Sequence, residues 1–409
     1  MTRMQPEQPM QQTQPMQPMQ PGKRLLLLGG GHAHVQVLAA LAEQPLAGWT
    51  VQLVSPWRRQ IYSGMLPGWV AGHYPIEACA IDLDPLCRRA GVDFQQTAGT
   101  GLDLARQAVH GADGVDRPWD LLSIDTGPVA GLARLPGSAD HTLPIRPIER
   151  FIAEWPRLVE RIRHHAGRFE LVILGAGAGG IELAFAIGHR ARVEGWSALR
   201  LTVVGSEALP LPGAPPRVRR QALDLMRERG IVWHASSRAR AVAAGRLHLQ
   251  DVAGSEGATM LSFDACLTTT GAAAPDWPSA SGLATDAGGF IRVDRRLRSV
   301  SHPTVFAAGD VAALADARPR SGVYAVRAGP VLADNLRAGC LGQPLRDWTP
   351  QARALYLIST GDRHALATWG RWSWRGHWVW RWKDHIDRAF MRRWADPAPR
   401  TALEPETPP

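Results

Sequence analysis

Two strand–glycine–helix junctions constrain this chain more than any other stretch of its sequence. At the first, the apolar run Lys23–Leu28 meets Gly29-Gly30-Gly31, and residues 32–41 follow as an apolar helical pattern. At the second, residues 170–174 run into Gly175-Ala176-Gly177-Ala178-Gly179-Gly180 and a helix opening Ile181-Glu182-Leu183. In that setting glycine permits a tight turn and lets the backbone approach a pyrophosphate seated on the positive helix N-terminus. Gly175, Gly177 and Gly180 complete G-x-G-x-x-G. Gly29 and Gly31 fill the first two positions of the other copy, and His34 takes the third, where Gly or Ala is usual. One such motif is a weak sign. Two in the right context predict an α/β fold with two Rossmann-like dinucleotide-binding domains.

The strand after each junction normally ends in an acid that holds the adenosine ribose. Here Ser55 and Gly205 stand at those ends, with Glu207 two residues late. The nicotinamide cofactor is therefore left open between NADH and NADPH. Arg58 and Arg59 either contact the first nucleotide or are solvated loop charges.

A third signal follows. Residues 304–310, Thr-Val-Phe-Ala-Ala-Gly-Asp, read as an apolar strand ending in Gly309-Asp310. Along the chain the order is the first glycine turn, Asp125-Thr126-Gly127, the second glycine turn, Thr270-Gly271-Ala272 and Gly309-Asp310. This order resembles the two-dinucleotide flavoproteins, the pyridine nucleotide-disulfide oxidoreductases in the broad sense, over roughly residues 23–345. The resemblance implies FAD in the first site and NADH or NADPH in the second. It implies a discontinuous FAD-binding domain, 23–150 plus 276–345, with the NAD(P)H-binding domain inserted at 151–275. Asp310 would then bind the FAD ribityl chain. Gly29, Gly31, His32, His34, Arg58, Thr126, Gly127, Gly309 and Tyr324 would line the FAD site, and Gly175, Gly177, Gly180 and Gly271 the nicotinamide site. His32 and His34 form an H-x-H pair. We read them as flanking the FAD pyrophosphate and assign no metal.

Cysteine usage selects among branches. Disulfide reductases need a redox-active pair close after the first fingerprint. The four cysteines here, at 79, 87, 266 and 340, have no such spacing and no C-x-x-C. Buried inert thiols are the default for them. Without a dithiol, electrons must leave for an external acceptor, as in the type II NADH:quinone dehydrogenases. Residues 55–68, 321–330 and 383–391 look like a bacterial subgroup, the selenophosphate-synthetase-associated oxidoreductases. In the type II enzymes the second of these segments carries two glutamines beside flavin and quinone; Val323 and Arg327 stand there here. Arg327 either stabilises negative charge on reduced flavin or contacts phosphate or solvent. Glu182 aligns with a family glutamate at the flavin–nicotinamide junction, where it either relays protons to the acceptor or packs and hydrogen-bonds on the second nucleotide helix.

The C-terminal part changes composition. Half of the 16 Trp fall between 346 and 395. Residues 355–359 and 365–368 around Gly361-Asp362 predict a hairpin, and 378–394 a helix. On it Trp378, Trp382, Ile386, Phe390 and Trp394 make a drifting apolar stripe, with Arg381, Lys383, Arg388 and Arg392 off it. Trp with Arg on an amphipathic helix is the composition of an interfacial membrane segment. The alternatives are a helix docked on the flavin domain or against a second copy in a homodimer. No run approaches the ~20 apolar residues of a spanning helix. The expected location is cytoplasmic, peripheral on the inner face of the membrane.

A net charge of +9 and a pI near 10.2 favour anionic partners. No zinc-finger, KH or RRM signature accompanies them, so nucleic acid is not among the expected partners. Residues 1–22, a Gln/Pro/Met tract, and 396–409 read as tails. The sequence thus predicts an FAD-dependent enzyme passing hydride from NAD(P)H to flavin and electrons to a quinone. A soluble selenium or sulfur acceptor, or a flavin-bearing redox sensor or membrane-recruited module, are the other readings.

Overall fold

The computed structural model describes residues 22–131, 135–252, 258–316 and 322–394. Residues 1–21 of the first tail, the whole of the second and the start of the Ser321–Pro330 stretch lie outside them. Two five-stranded parallel sheets organise the molecule. The first runs Val305–Ala307, Leu121–Ile124, Lys23–Leu28, Trp49–Ser55, Asp93–Gln96. The second runs Leu143–Pro144, Ala265–Thr268, Phe169–Leu174, Leu199–Val204, Val232–His234. Each glycine fingerprint ends the central strand of its sheet. The central strands read as unbroken apolar runs because both faces are covered; Leu25 to Leu28 are at most 2% exposed.

The two sheets are built alike. Each carries a three-stranded antiparallel layer inserted before its closing strands: 99–118 on the first, 237–262 on the second. The chain leaves the first sheet after Ile124, completes the second, and returns with Val305–Ala307 to pair with Leu121–Ile124. Leu143–Pro144, ahead of the boundary drawn at 151, already pairs in the second sheet. Val129–Ala130 pairs antiparallel with Ala272–Ala273 where the chain crosses out and back.

The C-terminal unit has three antiparallel strands, Leu355–Ser359, Ala365–Trp369 and Trp372–Gly376, followed by the helix His377–Arg392. The predicted hairpin is its first two strands; the third, Trp372–Gly376, falls in the stretch between the expected hairpin and the expected helix, to which the sequence assigns no element. Ile358 and Leu366 join the core of the second sheet, whereas Phe390, Met391 and Trp394 join that of the first. The unit therefore bridges both halves.

The stripe on the last helix splits. Phe390 and Trp394 are buried, while Trp378, Trp382 and Ile386 are 50%, 38% and 39% exposed. Four residues advance about 40° beyond a full turn at 3.6 residues per turn. Over the stripe's length that carries its last members onto the opposite side. The packing face is instead Val379, Lys383, Asp387, Phe390 and Met391. Lys383, expected on the polar face, is 8% exposed.

Candidate functional site

A cleft of about 270 Å³ opens above the carboxyl ends of the first sheet's strands. Its floor is the first glycine turn. Gly29 sits at φ +96°, and a Cβ there would meet the backbone of Asp125 and Thr126. Gly31 receives no Cβ for another reason: the Asp125 carboxyl occupies the space. The Gly31 N–H donates to the Asp125 carbonyl at 3.1 Å. The Asp125 carboxylate accepts the backbone N–H of Ala33 at 2.8 Å and of His34 at 3.1 Å. Burial pushes this carboxyl up to about 7, with the nearby Asp310 adding to the shift.

Gly29, Gly31, His32, Thr126, Gly127 and Asp310 line this cleft together, and so does Arg59. Asp310 is faced by Arg146, 3.8 Å away. His32 has a buried Nδ1 with no partner, and burial together with Arg146 lowers its imidazole to about 4. A bare-glycine turn at a helix N-terminus, polar side chains on the rim and an unpartnered ring nitrogen fit a pyrophosphate and the rest of a dinucleotide.

Four other residues expected here lie elsewhere. His34 is fully buried beneath the turn. Its Nδ1 lies 2.6 Å from the Gly29 carbonyl and its Nε2 2.8 Å from Ser123 Oγ. A carbonyl only accepts, so Nδ1 carries the proton and Nε2 accepts from the Ser123 hydroxyl. Burial holds the ring neutral, lowering it to about 4. The imidazole thus ties helix to sheet where a third glycine would let them touch. Arg58 pairs with Asp84, its Nε 2.7 Å from the carboxylate, and does not line the cleft. Gly309, at φ +70°, leaves room for the Asp125 carboxylate. Tyr324 lines a separate cavity of about 170 Å³ behind Asp310.

At the second fingerprint Gly175 has φ +118°, and a Cβ on Gly180 would strike the Gly175 carbonyl. Gly177, Gly179 and Gly271 face open space, and Thr270 Oγ1 is buried without a partner. That bare helix N-terminus fits a second pyrophosphate. At the following strand end the Trp233 indole fills the space a side chain on Gly205 would need. Glu207 is held by Arg219 at 2.6 Å.

The two halves meet under the C-terminal helix. Glu182, on the second fingerprint helix, accepts the Ser359 N–H at 2.8 Å. Burial raises its carboxyl to about 7, against the pull of Lys383 and that hydrogen bond. Lys383 Nζ donates to Asp387 Oδ2 at 2.7 Å and to the Gly64 carbonyl at 2.6 Å. Asp387 also accepts the Tyr62 hydroxyl at 3.1 Å. Burial disfavours the ammonium, but Asp387 and Glu182 outweigh it, and the Lys383 pKa is raised. The Tyr62 ring packs 5.7 Å from His32 and 4.7 Å from Phe390, centroid to centroid, so this cluster abuts the cleft. Arg327 is exposed and does not line the cleft.

Sequence reading did not single out Asp125, Tyr62, Lys383 or Asp387 for these places. Asp125 carried a signal, a charged residue closing the apolar run Leu121–Ile124. So did the Lys383/Asp387 spacing of one helical turn.

Residues 23–329 match the pyridine nucleotide-disulphide oxidoreductase family. The chain belongs to that family. It is an FAD-dependent NAD(P)H oxidoreductase. The demethylphylloquinone reductase NdbB of Synechocystis sp. is 26% identical over 335 residues, 79% of this chain and 81% of that protein. Among solved structures, the sulfide:quinone oxidoreductase of Aquifex aeolicus superimposes with a TM-score of 0.76 at 18% identity, covering 91% of each chain. NDH2 of Plasmodium falciparum superimposes with 0.75 at 11% identity, covering 91% of this chain and 98% of that one. These two likenesses are of fold.

Proposed function

We propose that this oxidoreductase transfers electrons from NAD(P)H to a quinone at a membrane surface. The observation that carries the reading is the fate of the thiols. Cys79, Cys87, Cys266 and Cys340 are buried and unpaired, none lines the cleft, and burial pushes each up to about 12. No dithiol stands beside the flavin site, so the acceptor is external. The quinone-reducing name of the Synechocystis relative supports a quinone.

FAD supplies the two-electron relay between nicotinamide and acceptor. The chain's own part is position and protons. The Gly29–Gly31 turn, Thr126, Gly127 and Asp310 hold FAD, and the open N-terminus at Gly177 and Gly179 takes the second pyrophosphate. A quinone needs two protons for its two electrons. Glu182 holds one near neutrality beside Lys383 and is the acid we assign. Arg327, exposed, is left with solvent or an anionic surface.

Anaerobic mixing with NADH and with NADPH should bleach the oxidised-flavin absorbance with at least one of them, and a short-chain quinone should restore it. Bleaching by neither would overturn the dehydrogenase reading. Restoration only by a selenium or sulfur compound would move the acceptor to that class.

For the membrane, the support is a patch on the C-terminal unit. Trp369, Trp372, Trp374, Trp378, Trp382 and Ile386 are each at least 37% exposed. Arg371, Arg375 and Arg381 are exposed among them. Among the described residues no helix is long and apolar enough to span a bilayer, so the contact is interfacial. Replacing Trp372, Trp374, Trp378 and Trp382 by Ser should weaken sedimentation with anionic vesicles by about tenfold or more, the equivalent of at least one lost Trp contact. NAD(P)H oxidation with a water-soluble quinone should be unchanged. Unaltered vesicle binding would remove the membrane role.

A further inference from the structure

The helix N-terminus that greets the FAD pyrophosphate already holds an acid. The first-turn N–H groups of such a helix are its anion-binding groups. Here Ala33 and His34 spend theirs on the Asp125 carboxylate, at 2.8 and 3.1 Å. The carboxyl is 3% exposed yet lines the cleft. The surrounding glycines are cut to fit it: a Cβ on Gly31 would fall on the carboxyl carbon and both oxygens, and one on Gly309 on Oδ1. Both glycines belong to the motifs of the FAD site. Asp125 is therefore built into that site.

A second acid, Asp310, shares the cleft. The charged and titratable groups facing Asp125 are few. From the fingerprint helix come His32 and His34, both held neutral near physiological pH by burial. From the Gly309–Val311 turn comes Asp310, whose counter-charge is Arg146 at 3.8 Å. No cation reaches Asp125 itself within salt-bridge distance among the described residues. FAD brings two further negative charges to the same helix end. Like charges this close cannot all ionise in an enclosed site.

We propose that Asp125 meets the FAD pyrophosphate as an uncharged acid, so that loading the cofactor takes up one proton. The proton comes from solvent and resides on one carboxyl oxygen. The other oxygen keeps the Ala33 and His34 N–H bonds, and the new O–H donates toward the phosphate side. Asp125 is thus a positioning residue whose ionisation opposes FAD. The inference rests on the assignment of FAD to this cleft. Burial already raises the carboxyl to about 7 before any phosphate is present. The protein without FAD is therefore mostly ionised at this residue at pH 8, and protonation on binding is then nearly complete.

The test is calorimetric titration of FAD into cofactor-stripped protein at pH 8 in phosphate and in Tris, whose ionisation heats differ. The slope of binding enthalpy against buffer heat counts protons directly. The wild type should take up about one proton per FAD, and its Kd should rise about tenfold per pH unit above neutrality. Asp125→Asn keeps an oxygen for the two N–H groups and carries no charge. It should take up none and bind FAD with a flat pH dependence. A wild-type count near zero, or an Asn variant with the same count as wild type, would overturn the proposal. Wild type that binds no FAD even at pH 6 would overturn the FAD assignment instead.

Discussion

Replacing Lys383 by Met should destabilise the protein by about 3–5 kcal/mol, the usual result of leaving one member of a buried ion pair alone. The side chains of Lys383 and Asp387 are 11% and 7% exposed, so solvent screens little of the effect. Without the ammonium, Asp387 keeps only the Tyr62 hydroxyl, and the Gly64 carbonyl loses its donor. Denaturant unfolding, followed by tryptophan fluorescence, measures the loss. Lys383→Met with Asp387→Leu should recover most of it, because a pair replaced by apolar groups costs far less than a pair broken. Failure of the double variant to recover would show that packing, not charge, sets the stability of this helix. The loss should also release FAD more readily, since Tyr62 and Phe390 back the His32 wall of the cleft.

Glu182→Gln should lower quinone-coupled turnover by about 10²–10⁴-fold, the range for a lost acid–base group. The fold should survive, because Gln keeps an oxygen for the Ser359 N–H. Nicotinamide-driven bleaching of the flavin should change little, since that half-reaction does not draw on this proton. Comparing the two half-reactions by stopped flow separates them; an equal loss in both would place Glu182 in nicotinamide binding. The pH profile gives a second reading. The carboxyl is raised to about 7, so the donating form exists below that pH and turnover should fall above it. Stability runs the same way. A folded-state acid raised above its unfolded value near 4.5 binds more protons than the unfolded chain in between. Its neutral form is tolerated at low pH, and stability is lost as pH rises from about 4.5 to about 7. The Gln variant should lack that slope.

The parts of this fold that depend on the backbone were legible in the sequence. Gly29, Gly175 and Gly180 are required by φ and by close approach, and no other residue substitutes there. Their strands, fully buried, leave a continuous apolar signature that length and flanking glycine resolve. Parts that depend on side-chain direction were not legible. Hydropathy places Lys383 with Arg381 and Arg388, and only the packed structure turns it inward onto Asp387. His34 reads as a phosphate neighbour by its offset from Gly29, yet its ring points down to Ser123. Arg327 falls at a family position of interest, and a helical turn of 100° per residue leaves it facing out while Tyr324 and Ala328 face in. In the sequence Asp125 stands only as the head of the tripeptide Asp125-Thr126-Gly127. Nothing local tells that its carboxyl reaches a helix from elsewhere in the chain.

The return of Val305–Ala307 to the first sheet has a consequence for how the enzyme is made. As the ribosome extrudes the chain, Leu121–Ile124 is finished early and lacks its outer neighbour. At 5–20 residues per second the missing strand arrives roughly 10–40 s later. Throughout that interval the growing sheet presents an apolar unpaired edge, the kind that recruits another chain. Asp310 and the C-terminal helix emerge after it. A ribosome stalled before residue 305 therefore holds a nascent chain whose cleft lacks the Asp310 and Ala325 side of its lining.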